Sequence, residues 1–308
     1  MASLFYCTDD NDGDMLRAMR SAMPDLEIRV WPNTGNKLEI DSALVWMPPD
    51  DFFDGLDNLK HVYSISAGVD HLLKHPGLNN TLPLVRLFDA GMGERMAHYV
   101  LYGALHAQRG MPRLNLAQRA KKWDRFSIPD PADLNIGILG AGALGQKVAK
   151  HLALNGFGIN LWSRTPKETI GTHYTGAAQL PKFLSSSHIL VCLLPLTADT
   201  TGILNAKLFS QLPDGAFLIN PGRGQHQVVD DLIAALDSGK LSGAMLDVFE
   251  TEPLPTSSPL WQHERVLITP HVAAASTTDE SAQQIAQSMA DVAAGVEPRG
   301  LVDRVLGY

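Results

Sequence analysis

Cysteine is scarce in this chain: 308 residues carry only Cys7 and Cys192. Each sits in an apolar run that reads as a strand. That argues against a disulfide-stapled secreted fold, and both read as reduced core thiols of a cytoplasmic protein. Basic residues are in the minority, 25 Lys and Arg against 33 Asp and Glu, for a formal charge of −8. That balance argues against a nucleic-acid-binding face and against attraction to an anionic membrane surface. No apolar run approaches the roughly 20 residues of a membrane span. The first residues lack the basic segment of a secretory signal, and Asp9-Asp10 arrives too soon for its apolar core. No His/Cys/Asp spacing looks like a metal site, and there is no internal repeat. What is present is 45% hydrophobic and 19% charged residue, a composition that suits a full core. The length suggests two domains.

Short apolar runs alternate with helix-like runs from the start. Residues 4–7, 27–31, 43–46 and 62–65 read as strands, and residues 12–22 as a helix. Residues 93–110 read as one long helix, and 113–133 as a helix end and a linker. Then the alternation restarts. Strands are expected at 135–139, 158–162, 188–193, 216–220, 242–247 and 266–268. Helices are clearest at 143–155 and 229–238. Strands spaced by helices predict α/β architecture with parallel, doubly wound sheets. An amphipathic helix over 276–294 leaves the second sheet and rejoins the first. The expected domains are therefore 1–98 with 275–308, discontinuous, and 99–274 inserted between them.

The run Gly140-Ala141-Gly142-Ala143-Leu144-Gly145 falls between an expected strand and an expected helix. That is the context of a dinucleotide-binding G-x-G-x-x-G. The first glycine allows a tight turn, the second lets backbone approach a pyrophosphate, and the third lets helix and strand pack closely. The helix N-terminus, opened by Ala143 and Leu144, offers N–H groups and partial positive charge to phosphate. The next strand ends at Ser163-Arg164-Thr165. NAD sites usually carry an acid there, which would repel a 2′-phosphate. A guanidinium between two hydroxyls binds one through charge-assisted hydrogen bonds. The residues therefore predict NADPH/NADP, with NADH weaker; a solvated surface arginine is the plainer alternative.

Three charged residues follow at or just beyond strand ends: Arg223, Glu252 and His271. Ligands of doubly wound sheets sit at those carboxyl ends. Reduction of a 2-oxo acid needs a hydride at the carbonyl carbon and a proton at its oxygen. His271 titrates near neutrality and suits the proton donor. Glu252 suits the carboxylate that orients the ring and favours the imidazolium. Arg223 suits the anchor for the substrate carboxylate. Taken singly, each also has an ordinary reading: a helix cap, a loop acid, a surface histidine.

The succession of motifs resembles the D-2-hydroxyacid dehydrogenase family. It comprises the Gly-rich loop, Leu194-Pro195-Leu196-Thr197 with Thr200, Asn220-Pro221-Gly222-Arg223-Gly224, Asp247-Val248-Phe249-Glu250-Thr251-Glu252-Pro253-Leu254, and Thr269-Pro270-His271. The resemblance runs over most of the chain and is strongest from Gly137 to Ala274. It implies a Rossmann coenzyme domain inserted into a flavodoxin-like substrate domain, in a homodimer with the active site in the interdomain cleft. It implies Arg223, Glu252 and His271 as the catalytic set. It also implies cofactor contacts from Leu194, Pro195, Thr200, Pro221, Gly222, Asp247, His271 and Ala273. The substrate carboxylate would be held at the Ala67-Gly68-Val69 turn, with Trp46 limiting the 2-substituent.

Finer features are similar to the glyoxylate/hydroxypyruvate reductase branch. They are Val45-Trp46-Met47-Pro48-Pro49, Ser66 to Asp70, Asp89 to Glu94, Arg223-Gly224-x-His226 and Val302-Asp303-Arg304…Gly307-Tyr308. Leu193-Leu194-Pro195 and Gln225 to Val229 depart from the wider family without touching the three reacting groups. Met92 with Gly91 and Gly93 falls where a hinge is expected. His98 and His106 share a helix face and read as packing or interface residues, not ligands. The expected activity is NADPH-dependent reduction of small 2-oxo acids, glyoxylate and hydroxypyruvate. A reductase of bulkier 2-oxo acids and a non-catalytic dinucleotide sensor are the alternatives.

Overall fold

The computed structural model describes residues 2–8, 13–304 and 306–307. Met1, Asp9, Asp10, Asp12 and Tyr308, used in the sequence reading, lie outside the described residues. The chain divides into two compact units, Met1–Gly91 with Ser276–Tyr308, and Met92–Ala275.

The first unit opens with β1 (Ala2–Cys7), α1 (Asp14–Ala22), β2 (Glu27–Val30), β3 (Ile40–Trp46), β4 (His61–Ser64), α2 (Asp70–Leu73) and β5 (Leu84–Val85). All its strand pairings are parallel, in the order β2-β1-β3-β4-β5. That is the flavodoxin-like order. From Ala43 to Trp46 central strand β3 is wholly apolar, as a strand covered on both faces requires. The strand missing from the sequence reading is β5. Two residues are too few to show any period.

The second unit carries α3 (Met92–Gln108), α4 (Met111–Arg119), β6 (Asn135–Leu139), α5 (Ala143–Leu154), β7 (Gly158–Ser163), β8 (Thr172–Thr175) and α6 (Gly176–Ser185). It continues with β9 (Ile189–Cys192), α7 (Ala206–Ser210), β10 (Ala216–Asn220), α8 (Val229–Asp237), β11 (Leu241–Leu246) and β12 (Val266–Ile268). Its parallel sheet has the order β12-β11-β10-β9-β6-β7-β8. Six strands were expected and seven are found among the described residues. The unforeseen one, β8, reads Thr-His-Tyr-Thr and lies half-buried at the sheet edge, so no apolar signal marks it. The chain runs outward from β6 to β7 and β8, then returns to β9 on the other side of β6. The strand order therefore reverses at β6/β9, where doubly wound sheets bind ligands.

Side chains alternate across this sheet. Phe217 and Ile219 of β10 join Met96, Val100, Ile136 and Val148 on one face. Ala216 and Leu218 join Leu190, Leu232 and Leu246 on the other. The last helix, α9 (Thr278–Ala293), returns to the first unit. There Ala282 and Ile285 pack with Phe5 and Met19.

The first crossing between units comes at 91/92, not at the expected 98/99, and the second at 275/276, beside the expected 274/275. A break at 98/99 would cut α3, which is continuous from Met92 and packs on α5. Gly93 is buried in the first turn of that helix. Gly91, at φ 77°, follows Asp89 and Ala90, also at positive φ.

Gly137 sits at the middle of β6, where an added Cβ would lie 2.6 Å from the Cβ of Ser187 and 2.9 Å from Phe183 Cζ. Neither neighbour can turn away. Gly137→Ala is expected to destabilise by about 1–3 kcal/mol through overpacking. At Gly103 in α3 the neighbours are Ile219 Cδ1 at 2.8 Å and Met245 Sδ at 3.0 Å, mobile ends of long side chains. Gly103→Ala also gains about 1 kcal/mol of helix propensity, so it should stay within about 1 kcal/mol of the parent. Denaturant melts of both variants check this; equal midpoints for Gly137→Ala and the parent would contradict the packing.

Candidate active site

The Gly-rich loop closes against its neighbours in three different ways. Gly140 stands at φ 110°, and its N–H donates to Trp162 O at 2.9 Å. A Cβ on it would press on Leu193 O at 2.6 Å. A Cβ on Gly145 would collide with the Gly140 carbonyl, which is how tightly α5 sits on β6. A Cβ on Gly142 would meet no described atom within 4 Å. Gly142 is also the N-cap of α5, with no side-chain cap. The first-turn N–H groups of Ala143 and its successors stand at the positive end of that helix. That arrangement fits a pyrophosphate.

Beside it, β7 ends in Ser163, which is buried. Its hydroxyl donates to Thr165 O at 2.7 Å and lies 2.8 Å from His173 Nε2. Arg164 and Thr165 are exposed, two and three residues beyond Trp162, whose carbonyl holds Gly140. On the far side of β6, Pro195 O accepts from the buried Thr200 hydroxyl at 2.7 Å, and Thr200 Oγ1 in turn accepts from Thr197 N at 2.8 Å. Leu194 is buried in the core there. Beyond β10, Gly222 N donates to Asn220 Oδ1 at 3.2 Å, and a Cβ on Gly222 would lie 2.9 Å from Cys192 O. Pro221 is buried in the same turn.

The loop after β11 passes so close to the Arg223 turn that a Cβ on Gly224 would fall inside the backbone of Phe249 and Glu250. Glycine after Arg223 is therefore a packing requirement. It sets half-buried Arg223 beside the loop that carries Glu252. Glu252 Oε2 lies 2.7 Å from His271 Nδ1, and Glu252 Oε1 accepts from Phe249 N at 2.8 Å. The three charged residues thus come together, and Arg223 acts electrostatically on both of the others.

The hydrogen bond to Glu252 raises the His271 pKa above its ordinary 6.5, against partial desolvation and the Arg223 charge. Burial pushes Glu252 up, but its bonds from His271 and Phe249 N–H, with the nearby positive charges, hold it below 4.5 overall.

Asp247, read from the sequence as a cofactor contact, is only 1% exposed, and the structure uses both its oxygens internally. Oδ1 accepts from Thr269 Oγ1 at 2.6 Å and Val272 N at 2.9 Å; Oδ2 accepts from Ala273 N at 2.9 Å. The Asp247 carbonyl accepts from His271 N at 2.8 Å. These bonds hold His271 at φ 55°, a left-handed conformation that needs external support in a non-glycine residue. Tyr99 of α3 lies 2.7 Å from the Thr269 hydroxyl. Sequence motifs mark Asp247 but do not reveal these bonds, which span more than twenty residues.

In the first unit, Trp46 ends β3 and meets the His71 ring edge-on, centroids 4.6 Å apart. The Ala67-Gly68-Val69 turn follows β4. Gly68 N donates to Ser66 Oγ at 3.3 Å, and Val69 is buried. Trp46 and this turn therefore lie at the carboxyl ends of adjacent strands. His106 packs half-buried near Phe217, and burial lowers its pKa. His98 does come near two possible metal ligands, Glu94 and His151, with ligand atoms within 4.8 Å of one another. However, Glu94 already pairs with His151 at 2.9 Å and Lys147 at 3.4 Å. The group is an ion-pair cluster joining α3 to α5.

Residues 101–273 match the family model for the D-isomer specific 2-hydroxyacid dehydrogenase, NAD binding domain. A D-isomer specific 2-hydroxyacid dehydrogenase from Xanthobacter autotrophicus Py2, solved with NADPH and MES, is 40% identical at TM-score 0.94, over 100% of this chain and 99% of its own. An NADPH-dependent glyoxylate/hydroxypyruvate reductase from Sinorhizobium meliloti, solved with NADP and sulfate, is 37% identical at TM-score 0.93, with the same coverage. The chain belongs to the D-isomer specific 2-hydroxyacid dehydrogenase family. No helix among the described residues is long and apolar enough to cross a membrane.

The paired shifts fix a sign. His271 binds its proton more tightly folded than unfolded, so its contribution to stability is full below 6.5 and is lost as pH climbs through the raised value. Glu252 contributes fully above 4.5 and loses this as pH falls through its lowered value. The ion pair is therefore at its strongest between those two pH values. An NMR titration of the His271 ring should give a midpoint above 6.5, and Glu252→Gln should bring it down. A midpoint unmoved by Glu252→Gln would show that the pair does not form.

Proposed function

We propose that this chain is an NADPH-dependent reductase of small 2-oxo acids, turning glyoxylate into glycolate and hydroxypyruvate into glycerate. The observation that carries the reading is the 2.7 Å contact between His271 and Glu252, with Arg223 beside it, in the unit that also holds the Gly140–Gly145 loop. The bound dihydronicotinamide supplies a hydride to the carbonyl carbon. His271 supplies the proton to the carbonyl oxygen. With Nδ1 held by Glu252, Nε2 carries the transferable proton, and the carboxylate keeps the ring charged until transfer. Arg223 anchors the substrate carboxylate and polarises the carbonyl. The Ala67-Gly68-Val69 turn and Trp46 complete the substrate residues of this reading.

The coenzyme assignment rests on the open helix N-terminus at Gly142, on the absence of an acid in Ser163-Arg164-Thr165, and on the NADPH and NADP in the two relatives' structures. Leu194, Pro195, Thr200, Pro221, Gly222 and Ala273 line the rest of the coenzyme path, with Asp247 supporting it. A cytoplasmic setting goes with this reading, since Cys7 and Cys192 form no disulfide among the described residues. So does a homodimer. In the second unit Tyr102 and Leu105 are exposed on α3, and Trp123 beyond α4 is 91% exposed. Apolar residues displayed in this way suit a subunit interface. Trp123→Ser should shift sedimentation from dimer to monomer; an unchanged profile would remove Trp123 from the interface.

Steady-state kinetics over a panel of 2-oxo acids with both coenzymes test the function. The highest kcat/KM is expected for glyoxylate and hydroxypyruvate with NADPH. A preference for aryl or branched 2-oxo acids, or for NADH, would overturn the assignment. Binding of NADPH without its oxidation would point to a sensor. His271→Ala should lose most of kcat and keep NADPH binding. Arg164→Ala should raise the KM for NADPH about 10- to 100-fold, the loss of a charge-assisted contact, and leave that for NADH in place.

A further inference from the structure

His226 has no exposed surface, yet its ring meets polar atoms at both nitrogens. Nε2 lies 3.3 Å from Pro195 O, and Nδ1 lies 3.6 Å from Cys192 Sγ. A carbonyl oxygen only accepts, so Nε2 carries the proton in this bond. Burial pushes the Cys192 thiol up to about 12, so its S–H donates to Nδ1. The chain of bonds reads Cys192 S–H to Nδ1, then Nε2–H to the Pro195 carbonyl. Thr200 Oγ1 donates to the same carbonyl at 2.7 Å, so both of its lone pairs are engaged.

The backbone of His226 belongs to the Arg223 turn. Its N–H donates to Arg223 O at 3.2 Å, and its carbonyl accepts from Leu204 N at 2.8 Å. The ring packs against Gly222, whose added Cβ would come 3.4 Å from Nδ1. One side chain therefore runs from the segment after β10, which presents Arg223, to the segment after β9, which holds Leu194, Pro195 and Thr200. An apolar residue would fill this space without polar atoms to satisfy. A buried imidazole is tolerated because both nitrogens are met.

We propose that His226 is a positioning residue: its tether to Pro195 and Cys192 sets the Arg223 turn against the coenzyme loop, and so sets the substrate carboxylate against the hydride donor. The proposal rests on the reductase reading above. Cys192 then has a role as hydrogen-bond donor in the tether, beyond filling the core.

The test compares His226→Phe, which keeps a ring without a donor, with His226→Gln, whose amide reaches Pro195 O. His226→Phe should lose about tenfold in kcat/KM, the worth of one buried hydrogen bond, mainly through the KM of the 2-oxo acid. NADPH binding without substrate, followed by fluorescence, should be unchanged. His226→Gln should recover most of the loss. If His226→Phe does not fold, His226→Asn replaces it, since its amide is too short to reach the carbonyl. Parent kinetics in the Phe or Asn variant would overturn the proposal. So would a loss that Gln does not repair and that tracks melting temperature alone. A parent protein that turns over no 2-oxo acid sinks the reductase reading, and this proposal with it; an active parent matched by the variants sinks this proposal alone.

Discussion

A single buried carboxylate organises the reacting end of this molecule. Asp247 stands at the end of β11 and collects three hydrogen bonds from the turn after β12. Its own N–H donates to Asn220 O at 3.1 Å, and its carbonyl accepts from His271. Three strand ends are thereby fastened to one residue. The left-handed backbone of His271 follows from that fastening, and so does the reach of its ring to Glu252. A carboxyl group this deep is tolerated because donors surround it.

The candidate site's local geometry is more legible in the sequence than the scaffold's finer joints. Gly140, Gly142 and Gly145 could be read because their work is local: six consecutive residues state the turn, the approach and the close contact. That Arg223, Glu252 and His271 come together is legible because strand order limits where they fall. Asp247 was visible as a motif letter, yet its role lay in bonds to residues 269–273 that no local pattern encodes. His226 was likewise visible only as a branch marker. Its burial depends on packing between two strand-end loops.

The scaffold was misread where its signal is weak or continuous. Strand β8 has the composition of an exposed edge, and β5 is too short to carry a period. The division at 91/92 is hard to read from sequence because helical periodicity runs on through α3 without a mark at its start. The mark lies just upstream, in the positive φ angles of Asp89, Ala90 and Gly91. Two of those three are not glycine, so sequence gives little warning.

The exposed position of Arg164 and Thr165 has an evolutionary consequence. Arg223, Glu252 and His271 are held by Asp247, Gly224 and the Glu252 bonds, so most replacements near them disturb packing as well as charge. Residues 164 and 165 are exposed, past the end of β7. Under the proposed reading, the choice between two coenzymes is therefore set at the surface, apart from the packed residues around His271. A lineage can follow the reductant its metabolism provides without first acquiring stability in reserve.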